Sequence, residues 1–253
     1  MFTLRTSKIM VTRVGAAHVR RASSLVSGVN AAVNSLPMRE AVRYSAGNVK
    51  VTADELNKFA ESHANALTEF GFKKGDTVAL WMKDSMEKHV TLLASAKMGM
   101  QVVELDNSIA TKDDVRSALG MAQPTTVMFD PITDSADRLL LLRQAIPELF
   151  DYDDTMGQPF HSKYFPSIKY FIHTGFDIEI GCLNYKACFL PDAAVNYCDA
   201  ASATLDDSTP LYAHISKGSD GLTASKVATH KDALRLPSFA FAKNLTDKKY
   251  FEL

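Results

Sequence analysis

The chain has 253 residues, 46% of them apolar, and a formal charge of −1. That is enough apolar material for one large domain or two small ones, and so even a balance gives no electrostatic reason to expect nucleic acid or an acidic membrane surface as a partner. No apolar run approaches the ~20 residues of a membrane span; the nearest, Val90 to Leu105, is interrupted by Lys97, Gln101 and Glu104.

The first stretch differs from the rest. Arg5, Lys8, Arg13, Arg20, Arg21 and Arg39 all precede the first acid, Glu40. Ser and Thr are frequent there, and apolar residues are interleaved with the bases. This is the composition of a mitochondrial import signal, with Arg20 to Ser24 as the processing region; a basic disordered tail is the alternative. Residues 1–40 are therefore set apart as a targeting-like segment, and 41–253 as the folded domain.

Val42–Tyr44 and Val49–Val51 flank Gly47-Asn48 and read as a hairpin. Thr52 and Glu55 form a capping box. Leu56, Phe59, Ala60, Ala64 and Leu67 follow at helical spacing, and Gly71 supplies the stop. A strand over Val78 to Met82 comes next. A second helix starts at Asp84 and ends at Gly99. The strand Gln101–Leu105, a helix from Thr111 to Met121, the strand Thr126–Asp130 and a helix through Leu139–Ala145 complete the alternation. Strand and helix at this pitch predict an α/β fold, a parallel sheet flanked by helices with right-handed crossovers. Pro147 to Pro166 is irregular, Ile168–His173 is a strand, and Leu211–Ile215 is another.

Beyond that last strand lies Ser216-Lys217-Gly218-Ser219-Asp220-Gly221-Leu222-Thr223-Ala224-Ser225, with His230 further on. It resembles the phosphate loop of AMP-forming acyl-CoA synthetases, Ser/Thr-Ser-Gly-Thr/Ser-Thr-Gly-x-Pro-Lys-Gly followed by a His. Gly218, Gly221 and His230 fall in register. Lys217 stands for Ser, Asp220 for Thr, Thr223 for Pro, Ala224 for Lys and Ser225 for Gly. The stretch Val51 to Asp130 is similar to the opening of the same family. The matches are Thr52, Glu55 and Leu56, then Gly71, Gly75 and Asp76. Asp84-Ser85-Met86-Glu87, Lys97-Met98-Gly99 and Leu105-Asp106-Asn107 follow.

The resemblance implies the N-terminal α/β part of such a ligase. It also implies that the adenine- and ribose-holding residues and the catalytic lysine of a mobile C-terminal domain would follow His230. The chain ends at Leu253, so the expectation is a truncated, degenerate relative. A phosphate cradle needs backbone N–H groups, hydroxyls and a cation aimed at the anion. With Ala224 at the cation position and Asp220 adding negative charge, no catalytic residue and no cofactor are expected.

Other constellations are weak. Cys182, Cys188 and Cys198 include no C-x-x-C, and with His173 or His214 they have the wrong spacing for zinc. Asp151, Asp153 and Asp154 read as a solvated loop, and no metal site is expected. His89 reads as a solvated or satisfied helix residue and His161 as exposed. His173 lies at a strand end near the family's ligand cleft, and His230 is taken as packed beside the altered loop. G-x-S-x-G, G-x-G-x-x-G and the Walker pattern do not occur.

The function expected is a non-catalytic structural accessory subunit of a large mitochondrial assembly, partnered by other protein subunits. An ATP synthase or respiratory complex is preferred, with a mitoribosome behind it. The alternatives are an acyl-CoA/ATP-binding ligase fragment and a free regulatory acyl-CoA-binding module. Leu234, Leu236, Phe239, Phe241, Tyr250 and Phe251 are expected to lack intramolecular partners.

Overall fold

The structure, a computed structural model, describes residues 23–133, 136–153, 158–191, 194–249 and 251–253. Most of the basic leader, residues 1–22, lies outside them. The first described element is α1, Ser24–Ser35, with Ser23 accepting a hydrogen bond from Val26 N as its cap. Leu25, Val29 and Val33 are buried, so the packed core includes residues upstream of residue 41. A small sheet follows: β1 (Glu40–Tyr44) pairs antiparallel with β2 (Val49–Thr52). Asn48 takes the left-handed conformation at their turn, as asparagine tolerates. The chain returns at its end as β11 (Phe251–Glu252), parallel to β1.

The capping box is present: Thr52 Oγ1 accepts from Glu55 N, and Glu55 accepts from Thr52 N at 2.8 Å. It opens α2, Ala53–Glu69. Strand β3 (Thr77–Trp81), helix α3 (Met86–Met98) and strand β4 (Gln101–Leu105) come next. Ser85 caps α3, not Asp84; the Asp84 carboxylate instead reaches Lys88 Nζ at 2.7 Å. Helix α4 (Lys112–Ala122), strand β5 (Thr126–Phe129), helices α5 (Arg138–Ala145) and α6 (Glu148–Asp151) and strand β6 (Tyr170–His173) continue the alternation. Then come β7 (Leu183–Asn184), α7 (Tyr197–Ser202), β8 (Pro210–Gly218), β9 (Gly221–Ala224), β10 (Ala228–Thr229), α8 (His230–Ala233) and α9 (Ala240–Thr246).

The main sheet runs β10-β8-β4-β3-β5-β6-β7, with β9 paired to β8. β8, β4, β3, β5 and β6 are mutually parallel. Side chains alternate across it, as strand geometry demands. Val78, Leu80, Val102, Met128 and Ile172 enter the core shared with α1, α2, α3 and α9. Ala79, Trp81, Val103, Leu105, Val127, Phe129 and Ile215 enter the second core, with α4, α5 and α6. From β3 the chain steps to β4 on one side, then crosses to β5 on the other. Right-handed crossovers therefore put α3 on one face and α4 and α5 on the opposite one. This reversal opens the ligand crevice of such sheets at the carboxyl ends of the strands.

Helix α3 is buried on every side, so its polar residues need partners. Lys88 Nζ meets Asp84 and Glu104, at 2.7 and 2.6 Å. Lys97 Nζ meets Glu61 Oε1 at 2.8 Å and Asn30 Oδ1 at 3.0 Å, joining α3 to α2 and α1. Thr91 Oγ1 lies 3.1 Å from the Tyr185 hydroxyl. His89 Nδ1 lies 2.8 Å from the Tyr44 hydroxyl.

One expectation fails here. Phe239 and Phe241 are each 1% exposed, and Leu234, Leu236 and Phe251 pack at the core margin. Phe241 stacks on His89 at 4.3 Å and Phe239 meets Tyr212 edge-on at 5.9 Å. The physical reason is that α9 and β11 fold back beneath α1 and onto β1, so the chain covers these side chains itself. Tyr250 lies outside the described residues.

Candidate functional site at the carboxyl edge of the sheet

The segment that resembles a phosphate loop is a tight β-hairpin. Ile215 pairs with Ala224, Ser216 with Thr223, Lys217 with Leu222 and Gly218 with Gly221, leaving Ser219 and Asp220 as the turn. Gly221 has φ +114°, closed to L side chains, so glycine is required there for the turn itself. Ser225 N donates to His214 O at 2.8 Å, which fixes the ladder's parity. By alternation the Ser216–Thr223 and Gly218–Gly221 pairs exchange backbone hydrogen bonds across β8 and β9. Lys217 N faces the other way and donates to Ser108 Oγ at 3.0 Å. The backbone donors of these two pairs are thus spent on strand pairing.

The side chains agree with the backbone. Ala224 offers no cation. Lys217 Nζ is bound to Asp114 Oδ2 at 2.8 Å. Hydrogen bonds from Lys217 and then Thr111 hold the Asp114 carboxyl below the usual range. Hydrogen bonding from Ser108 does the same for Asp106, which also lies 3.6 Å from His214 Nε2. Asp106, Asp114 and Asp220 are three carboxylates near the hairpin, and a triphosphate placed here would meet like charge. Ser216, Ser219 and Thr223 supply hydroxyls, and Thr223 Oγ1 points to Ser216 O at 3.5 Å. The strand-then-glycine-loop order survives from sequence to structure, but the loop is pairing strand.

The middle of the same edge is organised differently. Arg138 opens α5 and is 2% exposed. Its Nη1 donates to Trp81 O at 2.5 Å and lies 3.6 Å from Asp130 Oδ2; its Nη2 donates to Asn107 Oδ1. The guanidinium carbon sits 5.1 Å from the centre of the Trp81 ring. Asp130 also accepts from Lys83 N at 2.8 Å and Thr174 Oγ1 at 2.6 Å. One buried ion pair therefore ties the ends of β3, β4, β5 and β6. Sequence reasoning missed it; a base opening an apolar helix eight residues after a strand-ending acid was the available signal.

Beside it is a cleft of about 370 Å³ lined by Lys83, Ile132, His173, Thr174, Phe176 and Asp177, among others. His173 is wholly buried at its base. A Cβ on Gly175 would come within 2.7 Å of Pro131 and 3.1 Å of the His173 ring, so this glycine lets the loop pass. His161 is exposed, as expected. His89 is the satisfied helix residue. Burial pushes His89 down to about 4, and likewise His230, whose Nδ1 lies 2.7 Å from Ser23 Oγ. His230 is thus beyond the hairpin but joined to α1. Cys182, Cys188 and Cys198 are buried thiols, and burial raises Cys188 and Cys198 to about 12. Among the described residues no cluster of His, Cys, Asp and Glu could hold a metal. No described helix is long and apolar enough to cross a membrane.

A family described as AMP-binding enzyme matches residues 29–159. The chain belongs to the AMP-binding enzyme family. The match spans the scaffold through β5 and α6 and stops before the hairpin. Among solved structures, a luciferase-like enzyme from the Zophobas morio mealworm superposes with TM-score 0.69 at 14% identity, over 93% of this chain and 55% of that one. A Mycobacterium tuberculosis fatty acyl CoA synthetase gives 0.65 at 16%, over 90% and 44%. Coronafacic acid ligase from Pectobacterium brasiliense gives 0.65 at 15%, over 90% and 45%. The fold is that of the N-terminal subdomain of acyl-CoA ligases, and the chain spans about half the length of these structures. No curated protein matches by sequence.

Proposed function

We propose that this ligase-family domain serves as a non-catalytic structural subunit of a mitochondrial assembly, with an ATP synthase or respiratory complex as the preferred form. The observation that carries the proposal is the hairpin. The Ser216–Thr223 and Gly218–Gly221 backbone groups are paired, the lysine is bound to Asp114, and Ala224 occupies the cation position. Such a loop binds a triphosphate poorly, and without a positioned nucleotide the rate gain from proximity is lost. The basic leader supports import. The exposed apolar side chains Ile132, Phe176 and Ile178, at 76%, 92% and 95%, support a protein partner, because exposed apolar patches mark interaction surfaces.

The test is the native mass of the endogenous chain in a mild-detergent extract of mitochondria. Co-migration with a megadalton particle is expected. A free species near 27.8 kDa overturns the proposal and favours an acyl-CoA-binding module or ligase fragment. Import is checked separately: a fusion lacking residues 1–22 should stay outside mitochondria, and its continued import would remove that part of the account.

A further inference from the structure

We infer that the groove between α2, α3 and the loop after β7 is a binding site for a small organic cation, a quaternary or methylated ammonium carried on a free small molecule. This goes beyond the structural-subunit proposal and does not depend on it. The groove has a volume of about 290 Å³ and is lined by three aromatic rings, Phe59 from α2 and Tyr185 and Phe189 from the loop. Met86 and Val90 of α3 complete its apolar wall. Phe189 stands close to perpendicular to both of its neighbours. It lies at 83° to Phe59 with centroids 6.3 Å apart, and at 79° to Tyr185 with centroids 5.3 Å apart. An aromatic ring is negative on its face, and rings set at right angles let one compact cation meet more than one face.

These walls are held in place. The Tyr185 hydroxyl lies 3.1 Å from Thr91 Oγ1 and donates to Glu87 O at 3.0 Å. His63 packs against both rings, 4.8 Å from Tyr185 and 5.4 Å from Phe189, with its Nδ1 2.8 Å from Cys188 O. Burial lowers His63 to about 4, so near neutral pH it sets no positive charge against the groove. Phe59 is 38% exposed, although Leu56 and Ala60 of the same helix are wholly buried. It is the ring that meets solvent.

The sign of the ligand follows from the charges around the groove. Among the described residues the Glu87 carboxylate has no hydrogen-bond or ion-pair partner, and adjacent Lys88 turns to Asp84 and Glu104 instead. Lys186, the other charged residue of the lining, has its Nζ 4.2 Å from the centre of the Phe176 ring. The unmatched charge is therefore negative. A cation with an apolar surface satisfies both Glu87 and the rings; a fatty chain or a carboxylate leaves Glu87 unanswered.

The test is calorimetric titration of the full-length chain with choline, and with its neutral isostere in which a tert-butyl group replaces the trimethylammonium. Saturable choline binding is expected, with the isostere bound roughly tenfold more weakly. Glu87→Gln keeps the shape and removes the charge, and should weaken choline by roughly fivefold or more while leaving the isostere unchanged. Phe59→Leu, at the partly exposed ring, should weaken choline more than the isostere. Equal binding of choline and the isostere overturns the inference, and so does the absence of saturable choline binding. Should a variant fail to fold, the comparison of the two ligands on the wild-type chain decides. None of these readings moves with the native mass of the chain, so failure here is distinguishable from failure of the structural-subunit proposal.

Discussion

The segment from Thr52 to Gly99 and the hairpin from Ser216 to Ser225 belong to one α/β layer, but they have diverged in opposite ways from the family they resemble. The first keeps what the backbone requires: the capping box, the left-handed glycines 71 and 99, and the buried strand β3. The second has Gly218 and Gly221 where the resemblance expects glycines, but Lys217, Asp220 and Ala224 where it expects the groups that handle an anion. The comparison teaches that the fold is carried by caps and alternating apolar faces.

The sharpest way to break this comparison is to injure the scaffold. Leu80 is wholly buried between helices and sheet. Leu80→Ala should cost about 2–5 kcal/mol through lost transfer and the cavity left behind. Urea unfolding measures it; a loss below about 1 kcal/mol would mean the β3 core is not the organising one.

Acid probes the same scaffold. Burial lowers His63, His89 and His230 from the ordinary 6.5 to about 4. The unfolded chain therefore binds protons that the fold refuses. Stability is full above about 6.5, falls as pH drops toward 4, and levels off below for these groups. Each contributes a slope of up to about 1.4 kcal/mol per pH unit. Melting temperature against pH should show the fall, and His89→Phe should flatten it by roughly a third. An unchanged slope would show that His89 is not neutral in the fold.

Smaller effects sharpen the contrast. Thr52→Ala removes a cap on α2 and should cost about 1 kcal/mol. Lys217→Ala breaks a surface pair with Asp114, with the lysine side chain 41% exposed, and should cost less than about 1 kcal/mol. A larger loss there than at Thr52 would reverse the comparison, making the hairpin a structural element in its own right.

Much of the scaffold was legible because its signals are local. Thr52 with Glu55, and the glycines after α2 and α3, announce element ends within a few residues. The unbroken apolar run Val78–Trp81 is the pattern of a parallel strand buried on both faces. Long-range closures were not legible. The return of Phe241 to His89 and of β11 to β1 joins residues far apart, and nothing local announces it. The Arg138–Asp130 pair depends on crossovers that bring four strand ends together. The departures of Ala224 and Asp220 from the family's pattern were visible by position. That Ser216–Ser225 forms a hairpin was not, because glycines serve a cradle and a tight turn alike.

The central claim is that the hairpin no longer holds a nucleotide, and calorimetry of the full-length chain with Mg·ATP tests it most directly. The account predicts no saturable heat, and none gained by Ala224→Lys alone, because the Ser216–Thr223 and Gly218–Gly221 backbone groups stay paired and Asp220 remains in the turn. A dissociation constant below ~100 µM for the wild-type chain, about −5.5 kcal/mol, would contradict it.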